Sequence, residues 1–416
     1  STANKGGKVD SNHNAVRHLK YLRQSLSQDN ESIGFLISAG CPLAVQMSEG
    51  TWPLIPDVAN LSTFVNEKLA DDPKYVTLLA ELVKAGKNKQ NIEDTLSFVR
   101  SLYLVSAGGD VRGLSQSDLA ALERKICSAI VSKLNVLLPN KETPYHQLGK
   151  WMKSIDRKVA VEIFTTNYDL LTEQSLEDLG VPYFDGFVGS RKSFFDLRAV
   201  EDGQIPTHWS RLWKIHGSIN WVQEIENGRA QVHRGSEVKE DASHLIYPSH
   251  LKYEESRKMP YLALMDQLSR FIRKKSSFLI LSGYSFNDEH VNDTIVNALS
   301  ANPTAMVLGL MFGDYEKNNS DGIKVEAYPN AYRLAKSQHN LNVWTFDKAI
   351  IGTNLGSWSI SPLDDDADID LLQFVVSEKA ATEDEKLRKL IKLGDFSALT
   401  TFLQKIIGST REFSNG

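Results

Sequence analysis

A chain of 416 residues, 41% hydrophobic and 24% charged, has an ordinary globular composition and room for a full core and two or three domains. Its net charge of −5 gives no reason to expect direct nucleic-acid binding or an anionic membrane partner. Two cysteines, Cys41 and Cys127, cannot build a disulfide framework or a four-cysteine zinc site. No apolar run reaches the roughly 20 residues that span a bilayer, and no charged-then-apolar leader opens the chain, so a cytoplasmic protein is expected.

Residues 1–14 are polar and read as a mobile arm. From Ala15 the spacing turns helical, with Val16, Leu19, Leu22 and Leu26 on one face. Ile33–Ile37 reads as a strand, and Ser38-Ala39-Gly40-Cys41 follows it directly. Small residues at such a turn let a backbone approach a phosphate, and the helix start beyond favours negative charge. Pro53, Pro56 and Asp57 mark an irregular segment. Residues 61–156 then read as mostly helical. Asn91 is a cap with acids in the first turn behind it, Ser115 or Ser117 starts a long helix that Pro139 ends, and a further helix spans 145–155. The bland reading of this insertion is a structural cap on one side of a sheet. The functional reading is a lid or an oligomer surface.

Val159–Ile163 predicts a buried strand that leaves through Thr165, Thr166, Asn167 and Asp169 into a helix at 170–179. Leu212–Ile215 predicts a second strand, ending in His216-Gly217. Ser218–Val222 reads as a strand, and Glu226-Asn227-Gly228-Arg229 as a hairpin turn. His244–Tyr247 is another strand candidate. Phe278–Leu281 predicts a third strand, and it runs into Gly283-Tyr284-Ser285 and a helix from about Val291. Asp288 reads equally well as that helix's cap. Strands at 305–308 and 341–346 flank a helix expected over 325–336. Strand–helix alternation implies an α/β fold, a Rossmann-like parallel sheet with helices on both faces. Beyond Gly356 the chain turns acidic at 364–368, and helices are expected at 370–376, 383–393 and 399–407.

Three of these crossings put small or polar residues just past a strand's carboxyl end, where open α/β sheets bind ligands. Thr166-Asn167-x-Asp169, the strand-terminal His216-Gly217 and Gly283-x-Ser285 together resemble the sirtuin family. The resemblance covers residues 33 to about 300. Ser38 stands where that family has the first glycine of its Gly-Ala-Gly loop. The segment at 51–60 is placed like the family's cofactor-covering loop but lacks its arginine. The stretch after His216 holds none of the Cys-x-x-Cys pairs of zinc-dependent sirtuins.

A Rossmann domain is expected over 15–356 with the helical insertion 61–156 within it, and the 357–416 tail, which lies outside the resemblance, is assigned to partner or subunit contacts. The resemblance implies NAD+ as substrate, with no metal. Ser38, Ala39, Gly40, Cys41, Asp57, Thr166, Gly283, Tyr284 and Ser285 would contact NAD+. Asn167, His216 and Asp169 would be catalytic. Nicotinamide leaves ribose through an oxocarbenium-like transition state. An Asn amide both donates and accepts, so Asn167 suits a water or a ribose hydroxyl; His216 suits proton transfer, and Asp169 would orient the pair. Taken singly, Asn167 also reads as a helix cap and His216 as a satisfied structural histidine. Zinc-free sirtuin-like proteins with this Asn and His resemble bacterial antiphage NAD+ hydrolases. Those often act with a second protein such as a HerA-type ATPase, an Argonaute-like protein or a fused sensor. The apolar helical faces of 61–156 and 364–416 lead to the expectation that this chain forms a homo-oligomer on which a partner ATPase docks. A non-catalytic NAD or ADP-ribose binding module and a nuclease subunit are the alternatives, and no carboxylate cluster stands out for the latter.

Overall fold

The computed structural model describes residues 11–48, 50–154, 157–226, 229–235, 238, 260–361, 369–378 and 387–412. The chain divides into two units: the described residues of Ser1–Leu36, Lys150–Val161 and Leu268–Gly416, and those of Ile37–Gly149 and Glu162–Gln267.

The first unit is built on apolar strands. Ile33–Ile37 and Phe278–Ser282 are buried at every residue, as strands covered on both faces must be. Each fully buried Leu, Ile or Phe there contributes roughly 1.5–3 kcal/mol. Phe278–Ser282 pairs in parallel with Met306–Leu310, and that strand with Leu341–Trp344. Helices Glu289–Ala301 and Pro329–Ser337 make the two crossovers. Lys348–Ile351 and Asn354–Ser359 extend the sheet antiparallel, and Ser11–Asn14 closes that edge, parallel to Asn354–Ser359. Helix Ala15–Leu26 starts where the Asn14 side chain accepts from the Arg17 N–H at 2.7 Å, and buries Ala15, Val16, Leu19, Leu22 and Leu26.

In the second unit Glu162–Thr165 and Tyr183–Phe184 both pair in parallel with Ser210–Lys214. A small antiparallel sheet joins Trp221–Glu226, Arg229–Arg234, Ser193–Phe195 and Phe187–Val188 in that order. Helices Val58–Lys68, Pro73–Lys84, Ile92–Val105 and Gln116–Leu134 precede the strands. Asn91 caps the third, accepting from Glu93 and Asp94 N–H groups. Ser115 caps the fourth in a reciprocal box with Asp118. An ion pair of 2.7 Å, Arg100 to Glu123, ties these two helices. The protein is thus mixed α/β, its main strands predominantly parallel and flanked by helices, as strand–helix alternation predicts.

Several local expectations are corrected. Ser11–Asn14 is a strand, not part of an arm, because Asn354–Ser359 supplies it with a partner. The helix expected over 325–336 is Pro329–Ser337. Lys324–Glu326 before it is a strand paired with Glu316–Asn318, and Pro329 starts the helix with its fixed φ. The strand expected at 159–163 is Glu162–Thr165, and the one expected at 218–222 begins only at Trp221. The long helix ends at Leu134, ahead of Pro139.

In the tail, the two helices expected at 370–376 and 383–393 give way to a short helix, Ile369–Leu372, and a β-hairpin pairing Val375–Glu378 with Arg388–Ile391. The final helix is Phe396–Glu412. Residues 1–10, the Asn227-Gly228 turn, the 244–247 strand candidate and the acidic 364–368 run lie outside the described residues. Among the described residues, no helix is long and apolar enough to cross a membrane.

Candidate active site

The apolar strand Ile33–Ile37 stops at Ser38, and the chain turns at once. The Cys41 N–H donates to the Ser38 carbonyl at 2.9 Å, and Cys41–Ala44 winds into a single 3₁₀ turn with Pro42 at its start. Ala39 and Gly40 are half-buried and Cys41 is buried. Gly40 has φ −75° and ψ −22°, a conformation open to any residue. The Ser38 hydroxyl lies 2.5 Å from the Thr166 hydroxyl. This turn is therefore tied to a segment 128 positions further along the chain.

That second segment follows Glu162–Thr165. The Thr165 hydroxyl accepts from the Asn167 N–H at 3.0 Å. The buried Asn167 amide donates through Nδ2 to the Ser38 carbonyl at 3.2 Å. The fully buried Tyr145 phenol neighbours the Asn167 side chain. Burial raises the Tyr145 pKa well above its ordinary value, reinforced by the charges of Asp169, Cys41 and Glu173. Asp169 is buried, and its Oδ1 accepts from the Leu171 N–H at 3.0 Å, so its carboxylate shapes the turn into helix Leu171–Asp178. Burial raises its pKa, opposed chiefly by the Lys214 cation.

Lys214 ends the neighbouring strand directly opposite Thr165. Ile215 N–H donates to the Thr165 carbonyl at 3.0 Å and Ile219 N–H to the Tyr168 carbonyl at 2.9 Å. The His216-Gly217 turn is thereby laid along residues 165–168. Gly217 has φ +96°, a conformation suited to glycine. The half-buried His216 ring lies 6.3 Å from the Tyr168 ring, inclined at 33°. Ser38, Thr166, Asn167, Asp169 and the His216 turn are thus brought together within one unit.

The other predicted contacts are placed differently. Asp57 accepts from the Asn60 N–H at 2.8 Å and caps helix Val58–Lys68. Gly283, Tyr284 and Ser285 belong to the first unit. There Gly283 has φ +66°, Ser285 is exposed, and the Tyr284 hydroxyl lies 2.8 Å from Asn292 Oδ1. Asp288 does cap helix Glu289–Ala301.

Three residues escape the sequence reading. Lys214 sits in an apolar strand, and a lone lysine between Trp213 and Ile215 is the signal it offered. Glu173, with its side chain 12% exposed, pairs with Lys214 at 2.7 Å; burial raises its pKa. Tyr145 gave no signal, since it reads as one more apolar position of a helix. Among the described residues no group of three or more His, Cys, Asp or Glu side chains is placed to hold a metal ion.

Residues 161–331 match the SIR2-like domain. The matched segment contains the Asn167 turn, His216-Gly217 and Gly283–Ser285. No curated protein matches the chain. Among solved structures, a Sir2 homologue in complex with NAD is 12% identical, over 73% of this chain and 86% of that one, at a TM-score of 0.31. A Sir2 homologue in complex with ADP-ribose is 10% identical, over 70% and 83%, at 0.29. At such TM-scores the likeness supports nothing further, and the fold rests on the strand pairings above.

Proposed function

We propose that this protein hydrolyses NAD+ at the nicotinamide–ribose bond, giving nicotinamide and ADP-ribose. The observation that carries this reading is the hydrogen-bonded closure of the Ser38 turn on Thr166 and Asn167, with the His216 turn laid beside it. The side chains suit the cofactor: a small-residue turn past a strand end, an amide that donates and accepts, and an imidazole able to exchange a proton. Bound NAD+ would supply a glycosidic bond to a good leaving group. Asn167, held through its amide by the Ser38 carbonyl, would fix a water or a ribose hydroxyl, and His216 would carry the proton.

A second reading, a catalytically idle NAD or ADP-ribose binding module, draws support from Ser38, whose hydroxyl is committed to Thr166. Nicotinamide release by purified protein separates the two. Asn167→Ala and His216→Ala should each abolish release while the far-ultraviolet circular dichroism stays native. Unchanged turnover in either variant removes that residue from the mechanism.

The matched domain and the absence of zinc-ribbon cysteines favour the further reading of a cytoplasmic antiphage effector, a homo-oligomer held at low activity by a HerA-type ATPase. Val76, Val83, Leu104 and Val105, exposed on the helices of the insertion, suit assembly faces. The tail suits that role less, because Leu390, Ile391, Leu393, Phe396, Leu399, Phe402, Leu403 and Ile406 are already buried.

A further inference from the structure

We propose that Lys214 is a positioning residue of the candidate site: the cation that locks the 166–170 turn and, through it, the Asn167 amide. The proposal deepens the NAD+ hydrolase reading and rests on it for its kinetic arm.

Lys214 is 2% exposed, at the end of a strand buried at all five positions. A methionine or leucine would fill that space without the desolvation a buried ammonium costs, so core packing alone does not account for a lysine. Its Nζ donates to the backbone carbonyl of Asp169 and to Glu173 Oε1, the latter at 2.7 Å. The first bond grips the turn two residues beyond Asn167. The second grips helix Leu171–Asp178, which that turn begins. Lys214 also lies two residues before His216. One side chain thus ties the Asn167 turn to the strand that delivers His216.

Replacing Lys214 alone would leave Glu173 as a buried carboxylate without its cation, so the informative variant removes that pair, Lys214→Met with Glu173→Leu, while Asp169, which also faces the cation, keeps its bond from the Leu171 N–H. Hydrogen exchange and kinetics are read on the same preparation. Backbone amides at 167–171 and Ile219 should exchange faster, with those at 163–165 unchanged. The kcat for nicotinamide release should fall about 10-fold or more, the cost of a displaced reacting group, with KM moved by less than about threefold. Glu173→Gln, which keeps an acceptor for Lys214, should stay within about threefold of the parent kcat.

Native exchange and native kcat in the double variant overturn the proposal. Loss of fold in the double variant assigns Lys214 to the core and overturns it equally. Should the parent protein release no nicotinamide, the hydrolase reading fails, and the exchange pattern alone decides what Lys214 holds.

Discussion

His18 shows how one side chain makes the protein sensitive to acid. It sits half-buried in a nest of rings, with His13, Tyr21, Trp344 and Trp358 centred 5.7–6.2 Å away. Burial, then the charges of His13 and Arg17, lower its pKa from 6.5 to about 4. Above pH 6.5 neither the folded nor the unfolded chain protonates it, and it costs nothing. Between pH 6.5 and about 4 the unfolded chain takes the proton and the folded one refuses it, so stability falls as pH falls. Urea midpoints should therefore drop from pH 7 to pH 4.5, and His18→Phe, which keeps a ring among the tryptophans, should flatten that slope. A parallel pH dependence in the two proteins would assign the acid limb to other groups.

At this scale the sequence was legible where a residue type carries unusual chemistry. Asn167, Asp169 and His216 were singled out as an ordered set of polar residues at predicted strand ends, and the structure brings their turns together. Lys214 and Tyr145 did not stand out. Their neighbours lie across the fold, and only strand pairing and helix docking reveal a lysine aimed at a carbonyl or a phenol buried beside an amide.

Among elements, the central strands and helix Ala15–Leu26 were readable because one residue pattern sets both local conformation and burial. The tail was not. Val375–Glu378 and Arg388–Ile391 are four residues each, and neither carries an alternation long enough to tell strand from helix. Their pairing and docking are tertiary. Ile391 N–H donates to the Phe346 carbonyl at 2.9 Å, and Phe374 meets Phe402 edge-on at 5.0 Å.

Gly394 is the tightest point of that docking. A Cβ built there would stand 1.8 Å from the Met311 carbonyl oxygen and 2.9 Å from the Phe312 nitrogen, both backbone atoms. Gly394→Ala must push two main-chain segments apart and should cost roughly 1–3 kcal/mol, the range of an overpacked core. Chemical denaturation measures it. Parent-like stability would mean that the tail is loosely seated and free for other contacts.

For the whole molecule, composition gave the class and strand–helix alternation gave the architecture, but the division into two units was not visible. The units are interleaved along the chain: the second takes Ile37–Gly149 and Glu162–Gln267, and the first takes what flanks and separates them. No composition shift marks those boundaries, because each falls inside or beside a regular element.

Interleaving also sets an order of events during synthesis. Every residue of the second unit has been made once Gln267 is added, whereas Ser11–Asn14 pairs with Asn354–Ser359. At ~5–20 residues per second, roughly 90 further residues take on the order of 5–20 s. Through that interval the Ser38, Thr165 and Tyr168 groups that the Asn167 and His216 turns bond are already made, while the strand at 11–14 lacks Asn354–Ser359. A chain ended at Arg273 should then resist protease within 162–226 and be cut near 11–14; cleavage at both alike would show that the two units fold only together. Ribosome pausing after residue 267 would hold the nascent polypeptide in this state, with its candidate chemistry assembled before the strand at 11–14 has found its neighbour.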